Sequence, residues 1–151
     1  MTKPESVYVT YIAAKPEKTW EALTRGEFTK QYFFGRRIES DWKVGSSWTL
    51  WMEDGRVDCQ GKVLESDPPR RLSITWHVEW IEEFRRLPES IVTFQLDALG
   101  DVVRLTLMES HHESIAEKYK EGGRRGWPVI LCGLKSLLET GRPLPPFDMS
   151  A

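Results

Sequence analysis

The sequence predicts an α+β domain, a curved antiparallel sheet of about seven strands wrapped around one long C-terminal helix. Three observations predict it. Between residues 38 and 110 apolar residues alternate with polar ones in run after run, the mark of antiparallel strands with one covered face. Near the C-terminus Trp127, Ile130, Leu131, Leu134, Leu137 and Leu138 recur at helical spacing and supply a face to cover them. At the N-terminus a single strand pattern is followed by two short helical ones.

Ser6 to Ala13 is β-branched and aromatic, a strand with Val7, Val9 and Tyr11 expected on its inner face. Pro16 opens a helix over PEKTWEALT, where proline suits the first turn and Glu17 the positive helix end. A second short helix is expected from about Glu27 to Phe34, stopped by Gly35. Strands follow at Ile38 to Trp42 and at Ser47 to Glu53, the latter turned at Asp54-Gly55. Further strands run over Val57 to Ser66, Arg71 to Glu79, Ser90 to Leu96 and Val102 to Ser110. Trp80 to Glu89 is a charged connection without a clear pattern. His112 to Lys120 is weakly helical and Gly122-Gly123 is expected to interrupt it. Pro128 leaves two options open: the last helix begins near Trp127, or a longer one kinks there. Three prolines make residues 142–151 an extended tail. One domain is expected over residues 1–151.

Composition narrows the function. With 21 basic and 23 acidic residues the net charge is −2, and the paired arginines (Arg36-Arg37, Arg70-Arg71, Arg85-Arg86, Arg124-Arg125) are scattered among acids. Nucleic acid is therefore not an expected partner. Neither is a membrane, since no apolar run approaches the ~20 residues of a span. The polar start, Met1 to Ser6, lacks a secretory leader pattern, and a cytoplasmic location with reduced Cys59 and Cys132 is expected. Both thiols are expected to be packed. Seven tryptophans among 151 residues are enough to fill a core or to line a small-molecule pocket.

Several stretches carry a resemblance. They are AAKPEKTWEALT (Ala13 to Thr24), DWKVGSSWTL (Asp41 to Leu50), GKVLESDPPRRLSITW (Gly61 to Trp76), VTFQL (Val92 to Leu96) with VVRLTLMES (Val102 to Ser110), and GWPVILCGLKSLLETG (Gly126 to Gly141). In this order they resemble the SRPBCC superfamily, the START-related and birch-pollen-allergen-like helix-grip fold. Within it the chain is similar to the small bacterial single-domain members of the family named for the activator of the heat-shock-protein-90 ATPase. The resemblance implies a helix-grip fold and no single reaction. Members carry lipids or hormones, cyclise polyketides, or bind chaperones and other proteins. The eukaryotic activator has an additional chaperone-binding domain for which 151 residues leave no room, so chaperone activation is not expected.

The expected function is binding of a small apolar or aromatic molecule between sheet and helix, without catalysis and without a cofactor. The expected lining is Tyr11, Trp48, Leu50, Trp76, Phe94, Leu105 and Leu107 from the sheet, with Trp127, Ile130, Leu131 and Leu134 from the helix. An enzyme of the cyclase or hydrolase kind is the alternative, with Glu109 and Tyr11 as acid–base candidates. A third reading is a protein-interaction module or homodimer anchored on Trp51, Trp80, Phe33 and Phe34. Glu109-Ser110-His111-His112-Glu113 is the densest titratable group. It is not a metal motif, because adjacent strand residues point to opposite faces and the remaining histidine, His77, is distant in sequence. His77 lies on the outward parity of its strand and is expected at the surface.

Overall fold

The computed structural model describes residues 4–150. Seven strands form one antiparallel sheet: β1 (Ser6–Ile12), β2 (Arg37–Glu39), β3 (Ser47–Trp51), β4 (Val57–Asp67), β5 (Arg71–Val78), β6 (Ser90–Leu99) and β7 (Val102–Ser110). Their spatial order is β1-β7-β6-β5-β4-β3-β2, so β1 returns to pair with the last strand and β1 and β2 are the edges. Two helices, α1 (Pro16–Thr24) and α2 (Gly26–Tyr32), lie between β1 and β2; a single turn, α3 (Glu82–Arg85), lies between β5 and β6; α4 (Glu121–Thr140) ends the fold. This is the helix-grip architecture that the sequence predicts.

The alternation pattern works because each strand has one dry side. Trp48 and Leu50 on β3, Leu72 and Ile74 on β5, Val92, Phe94 and Leu96 on β6, and Val103, Leu105 and Leu107 on β7 are all buried. They meet Trp127, Ile130, Leu131, Leu134 and Leu137 of α4 in one core. Burial of such side chains at ~25 cal/mol per Å2 is what holds sheet and helix together. Thr29, itself 1% exposed, ties α2 to β2: its hydroxyl donates to the Arg36 carbonyl and accepts from the Ile38 N–H, both at 3.0 Å.

Four local expectations are corrected. β1 has the opposite phase. Tyr8, Thr10 and Ile12 face inward across from Leu107, Leu105 and Val103, while Val7, Val9 and Tyr11 are more than half exposed. The strand carries apolar residues on both parities, and its pairing with β7, whose phase is unambiguous, decides between them. Gly122-Gly123 does not interrupt the last helix, which runs from Glu121 through Pro128 to a left-handed Gly141. Between His112 and Lys120 only one 3-10 turn, Glu117–Tyr119, is helical. Cys132 is exposed rather than packed, whereas Cys59 is buried and its thiol is pushed up by that burial and by neighbouring Asp58.

Candidate functional site

The interior beneath the middle of α4 is filled. Trp48, Leu50, Leu105, Leu107 and Leu134 are completely buried, and the gap left among Phe94, Leu131 and their neighbours is only about 10 Å3. These residues are core, as is Phe94 at 6% exposure, and none of them lines a usable cavity. Tyr11 lies on the outer face of β1, 52% exposed, with no access to the interior. Of the sequence-derived lining, Trp76, Trp127 and Ile130 do face a cavity, and Glu109 joins them.

That cavity lies toward the N-terminal end of α4 and has a volume of about 380 Å3. Its floor is Trp76 of β5 and Trp127 of α4, ring centres 5.3 Å apart. Phe33 stacks on Trp76 at 6.2 Å and meets Trp127 edge-on at 5.6 Å. The connection after β5 supplies the far wall through Trp80, Ile81, Phe84, Leu87 and Pro88, and Tyr119 stands edge-on to Phe84 at 5.3 Å. Apolar rings with a few polar groups are the usual make-up of a small-molecule site.

The polar side is built by the end of β7. Glu109 keeps the inward parity of Leu105 and Leu107, and His111 keeps it one step further; they are 6% and 8% exposed. The Trp127 indole N–H donates to Glu109 Oε2 at 3.2 Å. His111 Nδ1 meets the Ser90 hydroxyl at 2.9 Å. Glu109 Oε1 and His111 Nε2 are 3.4 Å apart, and both are buried without a hydrogen-bond partner. An unsatisfied buried polar atom costs about 1–3 kcal/mol, and here only the long contact between the two offsets it. Gly123 permits it: a Cβ there would stand 3.0 Å from Glu109 Oε1.

Charged groups elsewhere in the wall are already neutralised. Arg36 donates to Asp58 at 2.9 Å, and Lys120 is held by Glu5 at 2.6 Å and Glu117 at 3.2 Å. Each of the four arginine pairs likewise has a member on a carboxylate, through Asp58, Asp67, Glu82 and Glu117. His77 is half-buried and not fully at the surface as expected, because the segment 80–88 folds over it. Its Nδ1 contacts the Glu79 carboxylate, and its Nε2 faces the carbonyls of Arg85 and Leu87, each at 3.1 Å. Burial pulls this imidazole down, but Glu79 and the two carbonyls outweigh it and hold its pKa above the ordinary 6.5. The sequence singles out His111 only as part of a titratable run beyond the strand end at Ser110 and gives it no inward face. Extending the β7 alternation by two residues would have found it. His112, by contrast, is exposed. Among the described residues, no three His, Cys, Asp or Glu side chains gather as a metal site.

The family model of "Activator of Hsp90 ATPase homolog 1-like protein" matches residues 13–139. The chain belongs to that family. As an Hsp90-activator-homologue-like protein it has many solved structural neighbours. Protein MLL2253 from Mesorhizobium loti is 26% identical, with 88% of this chain covering 96% of that one and a TM-score of 0.72. The Aha1 dimer from Colwellia psychrerythraea is 22% identical over 89% of this chain and 96% of its own, TM-score 0.69. An HSP90 activator from Plasmodium falciparum is 20% identical over 83% and 88%, TM-score 0.66. At these identities the likeness to the latter two is one of fold. None of the curated proteins matches the chain.

Proposed function

We propose that this family member is a cytoplasmic binding protein for a small apolar or aromatic molecule, held in the cavity between the N-terminal half of α4, the ends of β5 and β7, and the segment 80–88. The observation that carries the reading is the 380 Å3 cavity with a floor of clustered aromatic rings, beside a core beneath the middle of α4 that is filled. A filled core needs no such opening. The two free cysteines, one of them exposed, suit a reducing compartment.

Gly126 provides the test. It lines the cavity, and a Cβ built on it meets nothing within 4 Å. Gly126→Leu would fill the space, and a helical glycine replaced by leucine gains roughly 0.5–1 kcal/mol of helix propensity. Native mass spectrometry against a library of lipids and aromatic metabolites is expected to find a bound species in the parent protein. Gly126→Leu is expected to lose it while melting no lower. A parent protein that captures nothing, or a variant that binds as well as the parent, would end the reading.

Self-association is the second reading. Val7, Val9 and Tyr11 form an exposed apolar row on an edge strand, and the Colwellia relative was solved as a dimer. A solution mass by light scattering is expected to drop from dimer to monomer when Val9 is changed to Lys. A monomeric parent would exclude it.

A further inference from the structure

Resting on the binding reading above, we infer that Glu109 and His111 form a recognition site for a hydroxyl group, and that the cavity takes a flat aromatic molecule bearing one. Both side chains are at least nine-tenths buried, both belong to the cavity wall, and each has one polar atom, Oε1 and Nε2, that makes no hydrogen bond and has only the other at ion-pair distance, 3.4 Å.

Chemistry selects the partner. Next to a carboxylate the imidazole proton belongs on Nε2, where it faces Oε1; with the proton on Nδ1, two lone pairs would confront each other at 3.4 Å. Nδ1 then accepts from the Ser90 hydroxyl, 2.9 Å away. The group best suited to come between them accepts from Nε2–H and donates to Oε1 at once. A hydroxyl does both through one atom, and an oxygen can lie about 2.8 Å from each of two atoms 3.4 Å apart once Glu109 and His111 turn toward the cavity, since both atoms are buried as they stand. An ether or an apolar edge leaves Oε1 unpaired. An ammonium offers donors alone and leaves Nε2–H facing N–H. A carboxylate meets the charge of Glu109, and the cations in the wall cannot compensate, since Arg36 is held by Asp58 and Lys120 by Glu5 and Glu117. The rest of the ligand lies against Trp76, Trp127 and Phe33, whose ring faces favour a planar aromatic body.

Isothermal titration calorimetry with naphthol, its methyl ether and naphthylmethylamine tests the assignment. Naphthol is expected to bind at least about tenfold tighter than the ether, against the ether's greater hydrophobicity. In Glu109→Leu and His111→Phe that preference should fall to about twofold or less while the ether still binds. Thermal melts report whether each variant folds. The comparison in the unmodified protein stands whatever the variants do. Equal binding of naphthol and ether would overturn the hydroxyl site and leave the apolar cavity intact. Tighter binding of the amine would overturn it in favour of a cation site. If none of the three binds, the binding reading falls with it.

Discussion

Gly122, Gly123 and Gly126 lie close together in the first half of α4, where each costs up to about 1 kcal/mol relative to alanine. They are not equivalent. A Cβ at Gly122 meets open space, whereas one at Gly123 meets the Glu109 carboxylate, which is buried and held by Trp127. Gly122→Ala is therefore expected to raise stability by up to about 1 kcal/mol, and Gly123→Ala to give no gain or a loss. Paired urea titrations decide between them; equal gains would mean that the carboxylate moves aside freely. Glu109 itself was legible from its parity with Leu105 and Leu107. The role of Gly123 was not, because a glycine pair reads as a helix break unless one knows what packs against it. Tyr11 shows the same limit from the other side: its strand is apolar on both faces, and only its partner strand decides which face is buried.

At the scale of elements, two contacts fix how closely β4 approaches β5 and how the cavity wall is held. Gly61 on β4 lies so close to β5 that a Cβ would fall 2.0 Å from the Thr75 carbonyl, the same carbonyl that accepts the Trp48 indole N–H at 2.8 Å. Gly61→Ala must part the two strands or expel that indole, and a loss of about 1–3 kcal/mol is expected in a denaturant titration. A neutral outcome would show that the strands part without cost. The segment 80–88 had no readable pattern in the sequence, since what fixes it is His77 beneath it rather than periodicity of its own. With both ring nitrogens facing acceptors, the charged imidazole satisfies Glu79 and both carbonyls at once. The groups acting on this pair are Glu79 on the same strand side, Gln60 on β4 and Arg85 from α3.

The sign follows from the two shifts. His77 is raised in the folded state, so its contribution is complete below 6.5 and fades as pH rises through the higher folded value. Burial opposes the shift of Glu79, but its bond to His77 wins and lowers it, so its contribution is present above 4.5 and fades as pH falls through the lower folded value. The clasp is thus strongest between 4.5 and 6.5. Amide exchange in residues 80–88, compared with a denatured-chain reference at each pH, should be best protected there. It should lose protection above that window, and His77→Gln should abolish the dependence. A pH-independent protection in the unmodified protein would refute the clasp.

For the molecule as a whole, the sequence was sufficient for the architecture and insufficient for the opening. Alternation on β3 to β7 and the stripe on α4 say which side chains face inward, and they do so here. They do not say whether inward means packed or lining a void. Leu105, Leu107 and Leu134 have the same pattern as Trp76 and Ile130, yet the first three are sealed and the last two face the cavity. The last two lie where the segment 80–88 and the turn at Glu117–Tyr119, in place of a strand, border α4. The exposed tail residues Leu144 and Phe147 lie beside Tyr32 and Gly133, away from this opening except at Phe34, which both surfaces share.

The three indoles of the central cluster have a spectroscopic consequence. Trp48 and Trp76 are 4.7 Å apart, and Trp76 and Trp127 5.3 Å, at inclined angles. Transition dipoles so near and so tilted couple as excitons, and the chain should display a two-signed ultraviolet circular-dichroism band. Because Trp76 and Trp127 also floor the chamber, any guest that slides against them would rotate or unbalance that couplet, giving the protein an intrinsic optical gauge of occupancy.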